Sequence, residues 1–301
     1  MNSNSPGTKP FPIPVRTIGP GSQSEEEELQ YMSMPKGMNT YQSPILPERE
    51  QIGELHQAQA ALRAVAAAVQ RALAVPPEAM ASVCERVDLS DLDEANRRLV
   101  NQVLGEGEVG ARIDGEAPVK VQESLFAGIW RVAEFDAQQR LLRDYVEIAA
   151  APALLAERAR PTQDLSLTPP SAQNLPPMVM NAPAILTEVL EKSQRWQPGM
   201  PVHVINLTLL PLSPQDIAYL DERLGVAGVN ILSRGYGNCR VSSTQLPQCW
   251  RVVYYNSQDA VILDTIEITS MPEAVRAAPE DLSDSAERFA EVLEWVAGST
   301  H

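Results

Sequence analysis

The sequence predicts an α+β fold made of two copies of one half-domain, each with helices packed on an antiparallel sheet. Three observations point there. Shifting residues 104–155 forward by 120 positions, without a gap, superimposes Leu104/Leu224, Gly105/Gly225, Val109/Val229, Val121/Val241, Trp130/Trp250, Arg131/Arg251, Val132/Val252, Asp144/Asp264, Glu147/Glu267, Ile148/Ile268 and Pro152/Pro272. About a quarter of that window is identical, several times what chance pairing gives, and two of the four tryptophans coincide, so the repeat is real. Within each copy, helical periods alternate with period-2 apolar runs joined by short polar turns, which favours hairpins over parallel crossovers. A stretch rich in Pro, Ser, Thr and Gln divides the copies. The expected organisation is an extended or disordered tail at 1–50, a first repeat at 51–160, a linker at 161–180 and a second repeat at 181–297. The two copies are expected to pack about a pseudo-twofold axis, the other arrangement being two beads on the proline linker.

Each element has its own justification. The tail holds Pro6, Pro10, Pro12, Pro14, Pro20, Pro35, Pro44 and Pro47 with the acidic run Glu25 to Glu28, and has no sustained apolar period. From Gln51, Ile52, Leu55, Leu62, Val65, Val69 and Leu73 mark one face of an alanine-rich helix that Pro76 and Pro77 end. A short strand around Val87 to Leu89 leads to a helix from about Asp91 to Leu104, capped by Asp or Ser and stopped at Gly105. Hairpin arms follow near Leu125 to Phe135 and Arg140 to Ile148, turning at Asp136 to Gln139, and Pro152 opens a short helix. In the second copy Asn181 can cap a helix bearing Ile185, Leu186, Val189 and Leu190, and Val204 to Leu209 forms a strand. Ser213 with Asp216 makes a start resembling a capping box for the helix that ends at Gly225, and the hairpin turn moves to Asn256 to Asp259. Phe289, Val292, Leu293 and Val296 give the last helix its apolar face.

Composition narrows the function. With a net charge of −15, the chain lacks the Lys and Arg surplus that phosphate neutralisation needs, so nucleic acid is excluded and a basic partner is favoured. Apolar stretches are interrupted well before the roughly 20 residues that a membrane span requires, and no signal-peptide pattern stands at the start, so a cytoplasmic protein without direct membrane insertion is expected. Cys84, Cys239 and Cys249 lack CxxC spacing and form neither a disulfide framework nor a zinc module. No cofactor and no metal are expected.

Among the repeated residues, Arg131 and Asp144, with Arg251 and Asp264, fit structural cross-strand pairs if the hairpins turn between 137 and 138 and between 257 and 258. Trp130 and Trp250 then face the other way as core anchors. Glu147 and Glu267 suit caps for the segments opening at Pro152 and Pro272, and no histidine shares their context to make an acid–base pair. The loop Leu104-Gly-Glu-Gly-Glu-Val-Gly110 ends a helix and carries two carboxylates, unlike a phosphate cradle. Catalytic residues are therefore not expected. Partner contacts are expected where the halves differ: Glu106 and Glu108 in the first, Arg234, Tyr236, Asn238 and Cys239 in the second.

Several motifs occur together in a fixed order: Ile-Gly-Pro-Gly-Ser-Gln at 18–23, Leu-Gly-Glu-Gly-Glu-Val at 104–109, Phe-Ala-Gly-Ile-Trp-Arg-Val at 126–132, Ser-Arg-Gly-Tyr-Gly-Asn-Cys-Arg at 233–240, Trp-Arg-Val-Val-Tyr-Tyr-Asn-Ser at 250–257 and Pro-Glu-Asp-Leu-Ser-Asp-Ser-Ala at 279–286. Together they resemble the hydrogenase expression/formation family called HupH, HyaF or HoxQ, from about Pro20 to the last helix. The resemblance implies an accessory protein of uptake [NiFe]-hydrogenases. It would act on the iron–sulfur small-subunit precursor before twin-arginine export, alongside a thioredoxin-like accessory protein. The role it implies is an assembly chaperone, the alternative being delivery or repair of an iron–sulfur cluster in the same subunit. It supplies no catalytic residues.

Overall fold

In the computed structural model, which describes residues 54–76, 83–160, 175–235 and 237–296, helix α1 (His56–Leu73) buries Ala58, Leu62, Val65, Ala68, Val69 and Ala72 on a single stripe. The tail at 1–50, Ile52, Pro77, the motif at 18–23 and residues 161–174 of the linker lie outside the described residues. Strand β1 (Glu85–Asp88) follows, then α2 (Glu94–Leu104), whose N-cap Asp93 accepts from the Asn96 N–H at 2.8 Å and whose C-cap is Gly105 at φ +60°. The chain then winds through β2 (Val109–Ile113), β3 (Val119–Glu123), β4 (Ile129–Phe135) and β5 (Leu141–Ile148) before the short α3 (Ala153–Arg158).

The second half repeats the order. It contains α4 (Ala182–Arg195), β6 (His203–Asn206), a 3₁₀ turn (Leu207–Leu209), α5 (Pro214–Leu224), β7 (Val229–Ser233), β8 (Asn238–Ser243), β9 (Cys249–Tyr255) and β10 (Val261–Ile268). A second 3₁₀ turn (Glu273–Val275) precedes α6 (Pro279–Val296). The fold is α+β, with six helices and one large antiparallel sheet among the described residues.

All ten strands form that single sheet, in the order β1-β5-β4-β3-β2-β7-β8-β9-β10-β6. The halves are therefore not separate beads. Their seam is the β2–β7 ladder, where Ala111 pairs with Ile231 and Val109 with Ser233. On one face Trp130, Val132, Ala111, Ile231, Trp250 and Val252 make a continuous core under Leu155 of α3 and Val275. On the other face α1 and α2 cover the first half and α4 and α5 the second. Helix α6 leaves the second half and packs on the first, where Phe289 meets Phe126 edge to face at 5.0 Å. Each such large apolar side chain removed from water contributes about 2 kcal/mol.

Three sequence expectations need correction. Arg131 stands opposite Val146, not Asp144, whose own partner is Ala133. The cause is a turn that closes with Gln139 at φ +61°, followed by a bulge in β5 that shifts the register. Asp259 at φ +58° and a bulge between Val261 and Leu263 repeat the arrangement, placing Arg251 opposite Ile266. The strand expected over Val204 to Leu209 ends at Asn206, because the Asn206 side chain accepts the Leu209 N–H at 3.3 Å and turns the backbone into a 3₁₀ step. Asn181 occupies the N-cap of α4 without capping it. Its amide donates to the Pro211 carbonyl, and the N–H groups of Met180, Asn181 and Ala182 go to Asp216 instead.

Candidate partner-binding site

Trp130 and Trp250 are buried and donate their indole N–H to the carbonyls of Ala149 and Thr269, at 2.9 and 3.1 Å. Arg131 grips Asp144 with Nε and Nη2, both at 2.5 Å, and Arg251 grips Asp264 the same way at 2.5 and 2.6 Å. The third arm of each arginine reaches the overlying helix, at Asn101 in one half and Asp221 in the other. Glu147 fulfils the capping expectation, accepting the Ala153 N–H at 2.7 Å while its second oxygen takes Arg86 at 2.8 Å. Glu267 does not repeat this, since its carboxylate accepts from the Thr265 hydroxyl at 3.3 Å.

The loop residues singled out for partner contact come from both halves, and the seam joins them. At the end of the β2–β7 ladder the Arg234 N–H donates to the Glu108 carbonyl at 3.1 Å. A side chain at Gly235 would meet the tip of the Glu108 carboxylate, which would have to swing aside. Gly107 is pressed against the backbone of Ser124, which cannot, and its N–H donates to the Glu123 carbonyl at 2.7 Å. Glu106 and Glu108 are exposed; Arg234 and Asn238 are half-buried; Tyr236 lies outside the described residues.

Cys239 departs from the surface reading. Strand alternation on β8 turns its thiol into the core shared by both halves, where it is 2 % exposed and burial pushes its pKa up to about 12. Cys249 is buried in the core beneath α4 and α5, on the opposite face of the sheet, and burial raises it to about 11. The two thiols, on opposite faces of the sheet, cannot share a metal or cluster. Cys84 is exposed.

One residue of this site escaped the sequence reading. Glu123 ends β3 with its side chain buried, beside the loop that carries Glu106 and Glu108. Burial raises its pKa to about 7, and the carboxylates of Glu108 and Asp281 add to the rise, against N–H groups of Gly128 and Val109 that favour the ionised form. The signal was present in the alternation Val119, Val121, Glu123, which places a glutamate on an inward-facing position. In the second half Ser243 takes that place, its hydroxyl accepting the Val229 N–H at 3.1 Å. The seam end thus brings Glu108, Glu123 and Asp281 together as an acidic ledge, with Glu106 exposed two residues before Glu108 on the same loop and Arg234 joined to Glu108 through its backbone N–H.

Residues 55–166, and again 179–296, match the family described as HupH hydrogenase expression protein, C-terminal conserved region. The chain is similar to hydrogenase expression/formation protein HoxQ of Cupriavidus necator, with 55% identity over 95% of this chain and 98% of the relative. It is also similar to hydrogenase expression/formation protein HupH of Rhodobacter capsulatus, at 46% over 95% of this chain and 98% of the relative. The hydrogenase-1 operon protein HyaF of Escherichia coli is 33% identical over 93% and 95% of the two chains.

Proposed function

Since the chain belongs to the HupH hydrogenase expression protein family, a role in hydrogenase maturation is its premise, and we propose that it is a non-catalytic assembly chaperone for the iron–sulfur small subunit of an uptake [NiFe]-hydrogenase. It holds the precursor in the cytoplasm before twin-arginine export, working alongside a thioredoxin-like accessory protein. The observation that carries this is the acidic ledge at the seam, where Glu106 and Glu108 stand exposed next to buried Glu123. A ledge of one sign steers and registers a cationic segment, and a twin-arginine signal is such a segment. The backbone of Gly107, packed against Ser124 and bonded to the Glu123 carbonyl, fixes the loop that carries Glu106 and Glu108 before the client arrives, which lowers the ordering cost of binding.

The repeat belongs to the same proposal. The palindromic strand order and the pairing of Ala111 with Ile231 support a pseudo-twofold axis through the β2–β7 seam, relating a first repeat at 51–160 to a second at 181–297. The acidic ledge stands at one end of that seam only, because Gly228 replaces Glu108 and Ser243 replaces Glu123 in the other half.

The test is capture of purified small-subunit precursor by the full chain, against a precursor lacking its signal. Capture of the signal-bearing form alone, weakened by Glu106→Lys with Glu108→Lys, is the expected result. Equal capture of both forms moves recognition to the folded body, and capture of neither sinks the chaperone reading.

A further inference from the structure

Among the described residues the ten-stranded sheet ends at β1 and β6, and the two edges differ, although β6 also carries one ion pair, His203 with Glu188 at 2.8 Å. The β1 edge is charged: Arg86 pairs with Glu147 and Glu85 with Arg71, both at 2.8 Å, and Asp88 is exposed. Such charges discourage another strand from adding. Strand β6 occupies the same place at the other end, yet Val204, opposite Glu267, stands where Arg86 stands opposite Glu147. Val204 and Val202 are 47% and 49% exposed. Of eleven large apolar side chains exposed among the described residues, seven fall between Met178 and Leu210, the segment that contains and flanks β6. Leu209, at 80%, and Leu210 lie at the end of the 3₁₀ turn that follows the strand.

The loops on either side are held firmly. Asp216, buried, accepts from the N–H groups of Met180, Asn181, Ala182 and Ser213 and from the Ser213 hydroxyl, at 2.8 to 3.0 Å. One buried carboxylate thereby ties the loop carrying Met178 and Met180 to the loop carrying Leu210 and Leu212. Among the described residues the first half does not repeat this apolar rim: Ser90 and Asp91 take the places of Thr208 and Leu209, and Arg86 that of Val204.

We propose that β6 takes an eleventh strand: an extended, apolar segment with a basic residue, supplied by the unfolded portion of the client. This rests on the chaperone reading and adds a second contact to it. Backbone pairing gives affinity without demanding a fixed sequence, and Val202, Val204, Leu209 and Leu210 give apolar contact, as strand-addition sites do. The basic residue is argued from Glu267, whose counterpart Glu147 is matched by the edge arginine that β6 lacks. A second copy of the chain is a poorer occupant, since two copies each bearing −15 repel one another.

Hydrogen exchange on the full chain, with and without purified small-subunit precursor, tests this, together with Val204→Lys and the milder Leu209→Ser. The expected result is slowed exchange at 203–206 and none at 85–88, with precursor affinity reduced about tenfold or more by Val204→Lys and less by Leu209→Ser. Unchanged thermal melting of both variants keeps misfolding out of the comparison. Precursor that binds without protecting 203–206, or binds Val204→Lys as tightly as wild type, overturns the edge proposal and leaves the chaperone reading standing. Failure of the wild type to bind overturns both. A concentration-dependent dimer that Val204→Lys converts to monomer also overturns it, by giving the edge to a second copy.

Discussion

Ala111 and Ile231, which occupy the same position in the two halves, are direct partners across the β2–β7 ladder. Every hydrogen bond of that ladder is thus shared between the halves, and α6 fastens them again by carrying Phe289 from the second to Phe126 of the first. The core beneath α1 and α2 takes Phe289 from the second half and the core on the opposite face is common to both, whereas the core beneath α4 and α5 is built from the second half alone. Ile231→Ala should cost about 3 kcal/mol, the usual result of emptying a buried isoleucine site. The loss should appear equally in hydrogen exchange of α1 and of α4. A loss confined to α4 would mean that the halves open independently despite the common sheet.

The repeated ion pairs should not be equally sensitive. Asp144 has a second arginine nearby, since Arg97 Nε lies 3.1 Å from its Oδ2 as an ion pair without hydrogen-bond geometry, whereas the position equivalent to Arg97 holds Ile217. Removing Arg251 leaves the nearly buried Asp264 without that substitute, next to Asp221. Arg251→Ala is expected to destabilise the chain by about 3–5 kcal/mol and Arg131→Ala by clearly less. Paired thermal melts of the two variants decide it, and equal losses would show that Arg97 gives no cover.

How much of this could be taken from the sequence depends on which interactions are local. The helix start at Ser213, the stops at Gly105 and Gly225 and the tryptophan anchors were legible because caps and alternation act within a few residues, whereas the start expected at about Asp91 falls two residues later, with Asp93 as the cap. The hairpin register was missed by two positions, because a positive-φ Gln139 and a bulge at Leu142 leave no mark that distinguishes them from an ordinary turn. Asp216 illustrates the other limit. Its link to Ser213 was visible at a spacing of three, but the N–H groups of Met180 to Ala182 come from 34 to 36 residues away. The same distance effect hid Glu123, whose role depends on Glu108 and on Asp281 of a helix that crosses from the other half.

Thiol chemistry should separate the three cysteines. Cys84 is exposed, while Cys239 and Cys249 are buried with thiols raised to about 12 and 11. Because the thiolate is the nucleophile, a disulfide reagent at pH 8 should modify Cys84 alone in the folded chain and all three after unfolding. Burial and Glu147 raise the Cys84 thiol as well, so its reaction should be slower than that of an ordinary exposed cysteine. Rapid modification of Cys239 would show that the shared core opens at β8.

Glu123 should make the stability of the whole chain depend on pH. Its pKa in the folded chain is about 7 against a reference value of 4.5, so between these limits the folded state keeps a proton that the unfolded state releases. Stability from this group is then complete below about 4.5, falls as pH rises toward 7, and stays low above it. The shift corresponds to about 3–4 kcal/mol at most, since one unit is about 1.4 kcal/mol. Glu123→Gln keeps an acceptor for the Gly128 and Val109 N–H groups and removes the charge, much as Ser243 serves Val229 in the second half. The variant is expected to match wild type near pH 4.5 and to melt higher at pH 8, with a flatter profile between. If the two profiles run parallel, Glu123 is ionised in the folded chain, and Glu108 and Asp281 do not hold its proton in place.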